Sequence, residues 1–146
     1  LFLSINYDGN FEENQGWAAL GATASVQGRM RRYVESQPAF AQASLAQAVE
    51  LALCTWAVGS LAQAASESTA AESSSTQLSE EQTEGDGSSL PDKAALLAHV
   101  RQTVAEKSLE CVLLERRGPG SAKYRALRPE ELGRLLPSAV SAPATT

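Results

Sequence analysis

The sequence predicts an α+β chain with the element order ββαα-αββα. Three observations carry this. An alternating apolar run ending in Asp-Gly opens the chain, and two stretches of helical periodicity follow it. A third helical stretch, a second apolar-turn-apolar run and a short helix begun by Pro close the chain, beyond a long acidic gap. Hairpins on both sides of a helical pair imply antiparallel sheet rather than βαβ units, and there is no internal repeat.

Leu1, Leu3, Ile5 and Tyr7 alternate with Ser4 and Asn6, the period of a strand with one buried face. Asp8-Gly9 is a hairpin signal, because both residues tolerate the positive φ of tight primed turns. The return strand is expected within Gly16–Thr23, whose small residues and Gly21 imply a closely packed neighbour. Glu12–Gln15 is too polar to sit deep in a sheet.

Ser25 is placed to cap a helix running to about Ser36, with Val26, Met30, Tyr33 and Val34 on one face and Arg29, Arg31 and Arg32 on the other. Pro38 breaks the chain. Ser44 and Gln47 form a capping box that opens the longest helix, with Leu45, Val49, Leu53 and Trp56 at helical spacing and an end near Ala64.

The run Ser66–Ser89 is polar and acidic, almost without large apolar residues, and is expected to be disordered because it has little surface to bury. Pro91 and Asp92 suit the first turn of a helix ending near Lys107, with Leu96, Leu97, Val100 and Val104 as its apolar face. Leu109–Leu114 is apolar on both alternating faces, like a strand covered from both sides. Arg116–Gly120 reads as a turn and Lys123–Leu127 as the returning strand, with Tyr124 and Ala126 on one face. Pro129 at the first helical position, Glu130 and Glu131 beside it, and Leu132, Leu135 and Leu136 inward make a last helix that Pro137 ends. The expected organisation is therefore a hairpin plus two helices over 1–64, an acidic disordered insert over 65–90, a helix, hairpin and closing helix of the same domain over 91–136, and a disordered tail over 137–146.

At 146 residues the chain suffices for one domain with a real core, which must be aliphatic because only eight residues are aromatic. The net charge of −5 hides an asymmetry. Seven acidic residues and no Lys or Arg lie between Ser66 and Asp92, whereas nine basic residues face five acidic ones from Lys93 onward. That basic excess is scattered and lacks interleaved aromatics, so no nucleic-acid partner is expected. Cys54 and Cys111 lie in apolar surroundings and read as free thiols of a cytoplasmic protein. No run reaches the roughly 18 apolar residues of a membrane span, and the start has no basic n-region of a signal peptide. The chain begins at Leu1 directly inside a strand pattern, so further sequence is expected upstream.

The search for chemistry is largely negative. The sequence holds no G-x-S-x-G, no phosphate-binding G-x-x-x-x-G-K-[ST], no G-x-G-x-x-G and no C-x-x-C. A lone histidine, His99, excludes a multi-histidine metal site; off its helix's apolar stripe, it reads as a solvated surface residue. The carboxylate pairs Glu12–Glu13, Glu80–Glu81 and Glu130–Glu131 are sequence neighbours, which do not face one another on a helix. No catalytic, cofactor-binding or metal-binding residue is assigned. Arg29, Arg31 and Arg32 form either a solvated helix face or a contact with an acidic neighbouring subunit. Trp17 and Trp56 read as core or subunit-interface residues.

Three stretches together resemble a proteasome α-type subunit, closest to the bacterial kind. LSINYDGNF followed by WAALGATA is similar to that family's hairpin. GRMRRYVES and SLAQAVELALCTW look like two successive helices, and SLECVLLERRGPGSAKYRALRPEELGRLL like the last two strands and C-terminal helix. The resemblance implies the C-terminal half of an N-terminal-nucleophile hydrolase fold, an αββα sandwich. It also implies a non-catalytic structural and gating subunit in ATP-dependent protein degradation. Such subunits form a heptameric ring that caps the catalytic β rings; the implied partners are those β subunits, an ATPase activator and protein substrates. Catalytic β-type subunits carry Thr at the mature N-terminus, where its amine serves as base. Leu1 occupies the first position here, and the segment FEENQGWAALG lacks the serine typical of catalytic members.

Two other readings stay open: a catalytic β-type or related peptidase subunit lacking its N-terminal half, and a small α+β interaction module with the acidic run as recognition tail. On the first two readings, half a sandwich leaves apolar sheet surface and unpaired edges exposed. The expected outcome for Leu1–Thr146 alone is association or a partly molten state in calorimetry and sedimentation. A sharp, reversible melt of a monomer would contradict it.

Overall fold

The computed structural model describes residues 2–5, 9–38, 42–72, 89–114 and 123–140. Among these the order is β1 (Phe2–Ile5), β2 (Phe11–Asn14), α1 (Ala24–Glu35), α2 (Leu45–Glu72), α3 (Lys93–Glu106), β3 (Val112–Leu114), β4 (Tyr124–Ala126) and α4 (Pro129–Leu135). The strands form two separate two-stranded antiparallel sheets, β1-β2 and β3-β4. The chain divides into two compact units, Leu1–Gln42 with Thr55–Asp92, and Ala43–Cys54 with Lys93–Thr146. Their border falls inside α2.

In the first unit the return strand lies earlier than the sequence predicts. Phe11–Asn14, not Gly16–Thr23, pairs with β1, in the register Phe2↔Asn14, Leu3↔Glu13, Ser4↔Glu12 and Ile5↔Phe11. Gly9 and Gly16, at φ 84° and 83°, bracket β2 with the left-handed backbone that glycine adopts without steric cost. Two glutamates are tolerated in this strand because it is exposed rather than deep. Gly21 does mark a close approach: a Cβ there would lie 2.6 Å from the backbone N of Gln27 in α1. Thr23 rather than Ser25 caps α1, its Oγ1 accepting from the Val26 N–H at 3.2 Å. Val26, Met30, Tyr33 and Val34 are the buried stripe, joined in this unit by Thr55, Ala57 and Val58 of α2. Gly59 lets the two helices approach, since a Cβ there would meet the Met30 sulfur at 2.7 Å.

The second unit's core comprises Val49, Leu53 and Cys54 from α2, Leu96, Leu97 and Val100 from α3, and Leu127, Leu132 and Val140. The capping box forms: the Ser44 N–H donates to Gln47 Oε1 at 2.8 Å, and the Gln47 N–H donates to Ser44 Oγ at 3.3 Å. Pro91 and Asp92 precede α3 rather than entering its first turn. Lys93 sits at the unfavourable, positive end of the helix dipole and is held by an ion pair to Glu50. That hydrogen bond and charge raise its pKa.

Several expectations change. Helix α2 runs past Ala64 to Glu72, so 65–72 is helical rather than disordered. A side-chain bond one turn apart supports the extension, Gln63 Nε2 donating to Glu67 at 3.0 Å, while the Ser66 and Ser68 hydroxyls donate to the carbonyls of Ala62 and Ala64 at 2.9 Å each. Leu45–Ser68 is also long and apolar enough to cross a membrane by length and composition, contrary to the expectation that no run is; core helices of soluble proteins meet the same criterion. The tail begins ordered, with Val140 buried at 3% exposure and its N–H donating to the Pro137 carbonyl at 2.8 Å. The expectations for Asn6–Asp8, the rest of the acidic run at 73–88, the turn at Arg116–Gly120 and the end of the tail at 141–146 lie outside the described residues.

Leu96 is fully buried in the second unit. Replacing it with Ala removes apolar contact and leaves a cavity, so Leu96→Ala is expected to cost about 2–5 kcal/mol in urea unfolding. A loss below about 1 kcal/mol would mean that α3 is not packed as described.

Candidate functional site

Each hairpin has two chemically distinct faces, because residues opposite one another in a register share a side of the sheet. In β1-β2 one side carries Ser4, Glu12 and Asn14 with Phe2; the other carries Leu3, Ile5, Phe11 and Glu13. On the first side Arg31 of α1 donates to Glu12 Oε1 at 2.7 Å, and the Asn14 amide approaches Ser4 Oγ at 3.5 Å. The apolar side is exposed: Leu3 retains 56%, Ile5 73% and Phe11 68% of its surface.

The β3-β4 hairpin repeats this arrangement with other residues. Its register is Val112↔Ala126, Leu113↔Arg125 and Leu114↔Tyr124. Arg125 lies on the side of half-buried Leu113, and its Nη1 donates to both oxygens of Glu131 in α4 at 2.8 and 2.6 Å. Val112, Leu114, Tyr124 and Ala126 share the other side and are exposed. The strand predicted to be covered on both faces is, among the described residues, half-covered on the side of Leu113 and exposed on the side of Val112 and Leu114. In both hairpins an Arg–Glu pair ties the polar side to a helix while the apolar side stays in solvent.

These pairs hold charge rather than perform chemistry. The hydrogen bond to Glu12 raises the pKa of Arg31 further, so it stays a cation. The Arg125 hydrogen bond, opposed by burial and aided by the charges of Arg125, Arg128 and Arg134, lowers the pKa of Glu131.

The residues singled out in the sequence are not brought together. Glu12 and Glu13 project to opposite sides of β2 and form no carboxylate pair. Glu130 is exposed in the first turn of α4, Glu131 belongs to Arg125, and Glu80–Glu81 lies outside the described residues. His99 is half-buried on α3, and its carbonyl accepts from the Thr103 hydroxyl at 3.0 Å. Arg29 and Arg31 are half-buried and Arg32 exposed; Arg31 pairs with Glu12 of its own chain. Trp17 is half-buried, and Trp56, at 41% exposure, is not a core residue. Cys54 and Cys111 are free, the first buried and the second half-buried. No group of three or more His, Cys, Asp or Glu placed to hold a metal exists among the described residues. The candidate site is therefore the pair of exposed apolar sheet faces. Sequence reasoning located their apolar residues by alternation but assigned them to a core.

Compared with protein-family models, curated proteins and solved structures, the chain matches none of them.

The Glu131 pair gives a titration test. A lowered folded pKa means its stabilisation is present above the unfolded value and lost as pH falls through the folded value. In a carboxyl NMR titration the Glu131 midpoint is expected below the ordinary value of about 4.3 and to return towards it in Arg125→Gln. An unchanged midpoint in that variant would show that the pair does not persist in solution.

Proposed function

We propose that this chain is a non-catalytic structural component of a larger protein assembly, and specifically the C-terminal half of a proteasome α-type subunit. On this reading it belongs to a cytoplasmic heptameric ring that caps catalytic β rings, gates protein substrates and receives an ATPase activator, with no membrane or nucleic-acid partner. The supporting observation is the pair of apolar hairpin faces, Leu3, Ile5 and Phe11 on one and Val112, Leu114 and Tyr124 on the other, exposed on ribbons too small to bury them. A sandwich fold would use such faces as inner surfaces. The order ββαα-αββα and the three sequence stretches that resemble the family support the more specific reading.

The test is the native mass of the natural full-length protein, purified gently from its own cells. The expected particle measures several hundred kilodaltons, contains a second type of subunit and hydrolyses peptides. A monomer or dimer without proteolytic activity would reject the reading.

A further inference from the structure

We propose that the outer side of α4 is a docking surface for an acidic segment of a partner protein, its carboxylates held by Arg128 and Arg134. The inference goes beyond the proteasome-type reading and stands whether or not that reading holds.

Charge is unevenly placed at this end of the second unit. Residues 123–140 carry four cations, Lys123, Arg125, Arg128 and Arg134, against two carboxylates, Glu130 and Glu131. Arg125 is engaged by Glu131, donating to both of its oxygens. Arg128, the N-cap, and Arg134, in the last turn, flank Glu131 at three-residue spacing, so the three lie along one side of α4. Leu132 turns from that side into the core. The Glu131 carboxyl is held below its ordinary range first by the Arg125 hydrogen bond, against burial, and then by the charges of Arg125, Arg128 and Arg134. One half-buried carboxylate therefore lies in the field of three guanidiniums, and Arg125 alone suffices to neutralise it.

The other two are available. Arg128 and Arg134 are exposed, and neither guanidinium makes a hydrogen bond or ion pair among the described residues. Glu130, exposed in the first turn, pairs with neither of them. Charge complementarity and spacing then describe the partner. Helix geometry sets Arg128 and Arg134 about 9 Å apart along the axis, six residues at about 1.5 Å each. That is the rise of about three residues of extended chain, so a segment with an acidic residue at every second or third position reaches both. Guanidinium donors match carboxylates in geometry as well as charge. A nucleic acid fits less well. Two unpaired cations neutralise about two phosphates, too few to hold a polyanion at physiological salt, and the net charge of −5 repels one.

The experiment uses the full chain and a fluorescein-labelled eight-residue peptide of alternating Glu and Ser, read by fluorescence anisotropy at low salt. The same peptide with Gln for Glu and a single-stranded oligonucleotide of equal length are the comparisons. The acidic peptide is expected to bind, the Gln peptide not to, and added salt to weaken the complex. The double variant Arg128→Gln with Arg134→Gln should weaken binding by about fivefold or more. Arg101→Gln, which removes an exposed cation on α3, should leave binding unchanged. Glu130→Gln removes the opposing charge and should tighten it. Circular dichroism checks that each variant keeps its helices. If the double variant unfolds, the parent's arginine side-chain NMR signals replace it, and those of Arg128 and Arg134 are expected to shift as the acidic peptide is added. Several results would overturn the proposal: equal binding of the Gln peptide, a folded double variant that binds as tightly as the parent, an equal loss in Arg101→Gln, weaker binding in Glu130→Gln, or Arg128 and Arg134 signals that do not move. Tighter binding of the oligonucleotide, lost in the double variant, would overturn it in favour of a nucleic-acid partner.

Discussion

Helix α2 is the constraint on which the rest of the chain depends. Among the described residues it supplies core to both compact units, giving Val49, Leu53 and Cys54 to one and Thr55, Ala57 and Val58 to the other. A helix buried over so much of its middle needs small residues, because bulky ones would hold neighbouring elements apart. Ala57 and Gly59 meet that need, and the Met30 thioether closes against Gly59. The Ser44–Gln47 box fixes where the helix starts.

The hairpins follow a different logic. Strands of three or four residues in two-stranded ribbons have little area to share, and one helix can cover only one side of each. An Arg–Glu pair in each ribbon selects the polar side as the covered one. Exposed pairs like these contribute little stability. Their effect is orientation, leaving the apolar sides outward, where water contact is unfavourable by about 25 cal/mol per Å². A chain built this way reaches a lower free energy when another surface covers those sides.

That property links structure to proposed role. The described residues offer two exposed apolar sheet faces, one on each two-stranded hairpin. Surfaces of this kind bind by shape and burial, with charge choosing partner and register.

Local chemistry determined much of the fold from sequence alone. The α1 stripe Val26, Met30, Tyr33 and Val34, the S-x-x-Q box, the α3 face and the Pro129 helix start were all legible because each depends on residues within a turn or two of one another. The misses share a cause in context. Phe11–Asn14 reads as loop because two glutamates disfavour a buried strand, yet an exposed strand paired to β1 accepts them. The end of α2 lies in a polar composition that reads as coil, yet the helix continues through it to Glu72, with Gln63 bonded to Glu67 one turn on. Alternation marked Leu3, Ile5, Val112 and Leu114 as one-sided, but only the tertiary structure decided which side the helices cover. That choice rests on contacts between residues distant in sequence, Arg31 with Glu12 foremost, and no local pattern encodes it.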